Sequence, residues 1–241
     1  MKKNILYTFL LALALSVSSC LDKYPENAIL ADDAITTIDE ADQAVIGIYS
    51  SFLSGALYSG YLTLLPDIQT DLVYAVNGYT NTYGDIWRWN DILATNSQIE
   101  SVYAALYTVI GRCNFLLDNA ENMRKRMTDD DALDRLDVYC GEAYFARALA
   151  YSELIKQFCK AYESDADAQN ELGVVLRTHY YSDEPIKRAS LYDSYQQVLS
   201  DLELAEKALA LGDDYDIAVD GYMYNSTYFN EYTVWALRAR I

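Results

Sequence analysis

Gly141-Glu142-Ala143-Tyr144-Phe145-Ala146-Arg147-Ala148-Leu149-Ala150-Tyr151 is the stretch on which the fold turns. It lies within a longer run in which Leu133, Leu136, Cys140, Ala143, Tyr151, Leu154 and Phe158 recur on one stripe, with Arg147 filling the gap between Ala143 and Tyr151. Steps of three and four are what a helix needs to bury one face, so a helix is predicted over 132–160. Alanines at 143, 146, 148 and 150 lower its bulk and let a neighbouring helix come close. Arg147 on an apolar stripe requires a partner, because an unpaired buried guanidinium costs several kcal/mol. Asn114, Asp118 and Glu142 are candidates to reach it. A buried polar clamp of Asn114 and Arg147 between helices is preferred to a ligand contact.

Further helices lie on either side. Thr37 with Glu40 reads as a capping box, followed by Ala41, Ala44, Val45, Ile48 and Phe52 on one face until Gly55. Ser97 with Glu100 reads as a second box, opening a stripe of Ile99, Val102, Tyr103, Leu106, Val109, Ile110, Cys113, Leu116, Leu117 and Ala120. Ser190 with Asp193 starts a further helix carrying Tyr192, Tyr195, Val198, Leu199, Leu202, Ala205 and Leu209, with Gly212 as its stop. A last helix begins near Asn230 and is still running at Ile241. Two stretches, 56–96 and 161–189, show no helical period and read as long excursions. The expected class is mainly all-α, made of tetratricopeptide-like helix pairs. The layout is degenerate, since the usual period of 34 residues is not kept.

Composition narrows the function. Acidic residues number 36 against 18 basic ones, a formal charge of −18, and no Lys/Arg cluster provides a local exception. Binding to a phosphate backbone is thereby disfavoured, and no nucleic-acid partner is expected. His179 is the single histidine, which excludes multi-histidine metal sites. Hydrophobic residues make up 52% and charged residues 22%, far from a disordered composition.

The N-terminus has the form of an export signal. Lys2 and Lys3 precede an apolar run over 5–17 that ends Val17-Ser18-Ser19-Cys20. Small residues before a cysteine match a bacterial lipobox, so residues 1–19 read as a lipoprotein signal peptide and Cys20 as the lipidation site. The mature charge would then be −20, since two lysines and no acids are removed. Residues 20–36 read as an extended tether and 37–241 as the helical domain. Cys113, Cys140 and Cys159, all in helical patterns, are expected as buried free thiols, with one disulfide as the alternative.

Acidic clusters are weighed for calcium and set aside. Asp129-Asp130-Asp131 serves a helix start. Asp165-Ala166-Asp167-Ala168-Gln169 begins like an EF-hand loop but has Asn170 in place of the glycine and Leu176 in place of the bidentate glutamate. The four carboxylates within 213–220 follow no known spacing. No nucleophile elbow, phosphate loop or dinucleotide fingerprint is present, so no catalytic residue, metal or cofactor is assigned and an enzyme is not expected.

The aromatic excursion is the most informative surface. The chain has 23 tyrosines and 3 tryptophans. Within 56–96, Tyr79, Tyr83, Trp87 and Trp89 alternate with Asp71, Asn81 and Asn90, and with Asn77 and Asp85. Sugar rings offer apolar C–H faces to aromatic rings, and their hydroxyls meet Asn and Asp side chains at the edge. This mixture suits neutral glycans. The competing reading is that these rings cover the helical core with their polar tips outward.

Several motifs together resemble the SusD/RagB family of outer-membrane nutrient-uptake lipoproteins. They are the lipobox at Cys20, the tether with Pro25, Trp87-Arg88-Trp89-Asn90 before the long helix, and the Tyr107, Ile110, Arg112, Asn114 spacing. The 141–151 run, Tyr192 with Val198, Asp201, Leu202, Ala205 and Glu206, and Val234-Trp235-Ala236-Leu237-Arg238-Ala239-Arg240 complete the set. Family members are usually about twice this long, so the resemblance implies an N-terminal portion. It implies a helical fold with degenerate tetratricopeptide units and a lipid-anchored, surface-exposed position at the outer membrane. It also implies a role as lid over a SusC-like TonB-dependent transporter, to which glycans are delivered, without catalytic activity. Cys20 carries over as the lipid site; the sugar contacts do not, because that loop differs among members. A peptide ligand and a lid that binds no ligand remain alternatives, with a surface glycoside hydrolase behind them.

Overall fold

The computed structural model describes residues 34–70, 72–76, 83–90, 92–181, 183, 185–210 and 228–241. The signal peptide, Cys20 and the tether up to residue 33 lie outside the described residues. Eight helices run through the described part: α1 Ile38–Phe52, α2 Tyr61–Gln69, α3 Gly84–Trp87, α4 Ser97–Arg126, α5 Asp130–Phe158, α6 Asp165–Ala168, α7 Leu191–Leu209 and α8 Glu231–Arg240. The fold is all-α. Among the described residues the β-structure amounts to one isolated antiparallel bridge, Leu172 to Ser190.

The long helices α4 and α5 form the spine. In α4 the buried side chains Val102, Leu106, Val109, Cys113, Leu116, Ala120 and Met123 step alternately by four and three. In α5, Leu136, Cys140, Ala143, Arg147, Ala150 and Leu154 do the same. Matching seven-residue repeats on helices joined by a short link give an antiparallel pair at a shallow crossing angle. Each buried leucine, isoleucine or valine contributes roughly 1.5–3 kcal/mol. Arg124, Lys125 and Arg126 end α4 while Asp130 and Asp131 begin α5, so charge complements the helix dipole at both sides of the turn. Helix α1 packs on both members of the pair, α7 lies along α5, and α8 lies against α7.

Small residues set the α5–α7 distance. A Cβ on Gly141 would meet Ala208 Cβ at 2.9 Å and Leu209 Cγ at 3.0 Å. Ala143, Ala146, Ala148 and Ala150 are all fully buried.

Several boundaries differ from the periodicity. Helix α4 is capped by Asn96, whose Oδ1 accepts the Gln98 and Ile99 amides at 3.1 and 3.2 Å, one residue before the expected Ser97. Asp129 caps α5 through the Asp131 amide, which moves its start to 130. Helix α7 ends at Leu209, and Gly212 lies outside the described residues. The excursion over 56–96 contains α2 and α3. Leu62, Leu65 and Ile68 bury the inner face of α2, with Pro66 inside it. Tyr103 and Leu199, placed on the apolar stripes by periodicity, are 38% exposed each. They adjoin Val102 and Val198, which take the inward positions, and a one-residue step turns a side chain by about 100°. All three described cysteines are free thiols; Cys113 and Cys140 are buried, while Cys159 is only half-buried at the end of α5. No described helix is long and apolar enough to cross a membrane.

Candidate functional site

The aromatic excursion folds around a small internal anchor. Ile86 is 1% exposed in α3 and fixes residues 83–90 to the core beneath α2. The rings then divide. Tyr83 and Trp87 are half-buried and pack on the core, Tyr83 edge-on to Tyr61 with centroids 6.4 Å apart. Trp89 is 65% exposed. Its φ of 52° places a bulky residue in the left-handed region, a conformation that costs about 1–2 kcal/mol. Two bonds hold it there: its backbone N–H donates to Ile86 O at 3.1 Å, and its indole Nε1–H donates to Gln69 O at 3.1 Å. A side chain held open at such cost is an orientation the surrounding loop imposes.

Exposed apolar side chains accompany Trp89 in this part of the chain. Leu72, Val73, Tyr74 and Val76 are exposed on the irregular 72–76 segment, and Leu93 is exposed further along the chain. The Tyr74 ring lies 6.4 Å from that of Trp87. Asp85 and Arg88 pair with each other at 3.3 Å in solvent, leaving Asn90 as an exposed polar edge. Asp71, Tyr79 and Asn81 lie outside the described residues. Tyr74 was missed by the sequence reading, because it sits in the unbroken apolar run Leu72-Val73-Tyr74-Ala75-Val76, which has no alternation to single it out.

The polar clamp lies deep between helices. Arg147 donates from Nε to Asp201 Oδ2 at 2.8 Å and from Nη2 to Asp201 Oδ1 at 2.6 Å, a bidentate pair joining α5 to α7. Its Nη1 donates to Asn114 Oδ1 at 2.7 Å, tying in α4. Burial pushes the Asp201 carboxyl up, and the guanidinium opposes that. Of the other partners considered, Glu142 accepts the Tyr49 hydroxyl at 2.5 Å, and Asp118 faces His179.

The second excursion is a strap held by side chains. Tyr107 OH accepts from Val175 N–H at 3.0 Å and donates to its carbonyl at 2.8 Å. Tyr151 does the same for Arg177, both at 2.7 Å. Asn114 Nδ2 donates to Arg177 O at 2.9 Å, and Arg147 Nη1 to Thr178 O at 3.2 Å. Side chains thus supply to 175–178 the bonds that a neighbouring strand would give, while Val174 O accepts the Ala189 amide at 2.8 Å. Close by, a half-open groove of about 470 Å³ is lined by Lys160, Glu163, Asp167, Glu171 and Leu191. It is polar, lacks aromatic rings, and is not formed by the aromatic excursion.

Comparison with known proteins agrees with this architecture. A family model for SusD-like proteins, described as "Starch-binding associating with outer membrane", matches residues 21–232. SusD-like protein P25 of Formosa agariphila is 24% identical over 214 residues, covering 86% of this chain and 37% of that protein. A crystal structure of a SusD superfamily protein from Bacteroides thetaiotaomicron superposes with a TM-score of 0.66 at 23% identity, covering 85% of this chain and 42% of that one. A SusD-like carbohydrate binding protein from Bacteroides vulgatus gives a TM-score of 0.61 at 18% identity, covering 86% and 41%. The chain therefore spans less than half the length of these relatives.

Proposed function

The chain belongs to the SusD-like family, and from that premise we propose that it is a cell-surface lipoprotein that binds glycans and delivers them to a SusC-like TonB-dependent transporter. Acylation at Cys20 would anchor it at the outer membrane, a reading supported by the apolar run over 5–17 and the Val17-Ser18-Ser19-Cys20 sequence. Trp89 carries the ligand reading: an exposed indole in a strained backbone conformation, hydrogen-bonded to Gln69 so that its face stays in solvent. Asn90 follows as a polar edge, the exposed Tyr74 stands against Trp87 at 6.4 Å, and Asp71, Tyr79 and Asn81 belong to the same proposed surface by sequence. Tyr83 and Trp87 act beneath it by fixing the loop to the core. Such a surface binds by stacking and hydrogen bonding and needs no metal or cofactor.

Affinity electrophoresis in gels containing starch, xylan, mannan or pectin tests this. The parent chain is retarded by at least one glycan, and Trp89→Ala weakens that retardation about tenfold, the equivalent of about 1.4 kcal/mol. Unchanged migration of Trp89→Ala on every glycan that retards the parent would remove Trp89 from the site.

A further inference from the structure

The strap over 174–178 ends in a tip that the glycan surface does not use. His179, Tyr180 and Tyr181 follow the strap and are exposed, with Asn114 Nδ2 donating to His179 O at 3.3 Å. Asp118 on α4 holds the base of the tip, accepting the Tyr180 amide at 2.7 Å through Oδ2 and facing His179 Nδ1 at 2.9 Å through Oδ1. The Tyr180 ring rests edge-on against Phe115 with centroids 5.0 Å apart, and Tyr181 packs edge-on to Tyr180 at 4.8 Å. Yet Tyr181 is 73% exposed and Tyr180 45%. Exposed rings on a backbone anchored from the strap up to Tyr180 have already lost part of the freedom that binding would remove.

We propose that His179, Tyr180 and Tyr181 form a second carbohydrate contact, separate from the Trp89 surface, in which a sugar ring stacks on Tyr181 and a hydroxyl donates to His179. With the Nδ1 proton directed at Asp118, the imidazole presents Nε2 outward as an acceptor. The tip then combines an aromatic face with a fixed polar edge, the same chemistry as Trp89 with Asn90. Asp118 and the strongly acidic chain favour a neutral ligand over an anionic one. A second contact on a separate strap would let a polymer engage at two points, raising avidity without a new deep pocket. The inference rests on the proposed glycan binding.

The single histidine makes the test direct, since its imidazole resonance needs no assignment. Isotope-labelled full chain is titrated with maltoheptaose and with xylan, mannan and chitin oligosaccharides, while the imidazole and the tryptophan indole signals are followed. A saturable shift at His179 is expected with a glycan that also shifts the indoles. Tyr181→Ala, a change at an exposed side chain, should weaken the His179 response about tenfold while the indole response persists, and Trp89→Ala should do the reverse. Shifts at the indoles with a still imidazole would overturn the second contact and leave the first. Silence at both positions with every glycan would overturn both. A His179 response to phosphatidylethanolamine vesicles but to no glycan would assign the tip to lipid and overturn the proposal.

Discussion

Glu142 shows how one buried group sets a pH response. It is 6% exposed, accepts the Tyr49 hydroxyl at 2.5 Å, and Tyr49 in turn accepts the Phe229 amide at 2.6 Å, joining α1, α5 and the entry to α8. Burial raises its carboxyl to about 7, against the Tyr49 bond that lowers it and with Asp42 adding to the rise. The folded state therefore keeps a proton that the unfolded chain gives up from about pH 4.5 upward. Its contribution is fully present below that pH and is lost as the pH rises towards 7, on the order of 3 kcal/mol in all. Chemical denaturation of Glu142→Gln across this range should show a stability gain over the parent that grows with pH and levels off above 7. A constant difference would mean that the carboxyl is not the titrating group. Arg147 gives a second prediction: Arg147→Met leaves the Asp201 carboxylate buried without its partner and should cost about 3–5 kcal/mol at neutral pH. The loss should shrink in acid as Asp201 takes a proton. That Arg147 needed a partner was legible in the sequence, because its place on an apolar stripe admits no other account. That the partner is Asp201, 54 residues away, depends on α5 lying against α7, which no local pattern encodes.

At the scale of elements, the strap is the part that periodicity could not supply. Residues 175–178 have neither a helical nor a paired-strand environment, because their backbone partners are the hydroxyls of Tyr107 and Tyr151, the amide of Asn114 and the guanidinium of Arg147. Tyr151 is fully buried, and burial pushes its phenol upward, so it stays neutral and can both donate and accept. Tyr151→Phe removes two bonds from the Arg177 peptide group while keeping the ring. The expected cost is about 1–3 kcal/mol, with much faster hydrogen exchange at the Arg177 amide. Exchange at Val175, bonded to Tyr107, should change far less. Equal acceleration at both amides would mean that the strap loosens as one piece. Helix α2 was hidden for a different reason: Pro66 argues against a helix locally, and burial of Leu62, Leu65 and Ile68 overrides it. The four long helices were readable because their buried repeats run for many turns. The site was readable only in composition, since nothing in the order of residues says that Trp87 turns inward while Trp89 turns out.

For the whole molecule, charge separates the two ligand classes that the family resemblance leaves open. The chain carries −18 formal charges, and the cationic group nearest the aromatic surface by sequence, Arg88, is paired with Asp85 at 3.3 Å. A neutral glycan on Trp89 or Tyr181 binds by ring stacking and short hydrogen bonds, which salt hardly screens. A peptide ligand drawn to this acidic surface would be rich in lysine or arginine, and its attraction would act over the Debye length. Raising salt from about 0.05 to about 0.5 M shortens that length from about 14 to about 4 Å. Glycan affinity should therefore stay within about twofold across this range, whereas attraction to a basic peptide carrying several charges should fall tenfold or more. Calorimetry of the full chain with the retarding glycan, at the two salt concentrations, decides between them. A steep loss with salt would set aside stacking on the Trp89 and Tyr181 surfaces as the source of affinity. A flat response together with loss on Trp89→Ala would tie binding to the rings and leave the acidic remainder of the surface to keep the chain soluble and free of anionic partners.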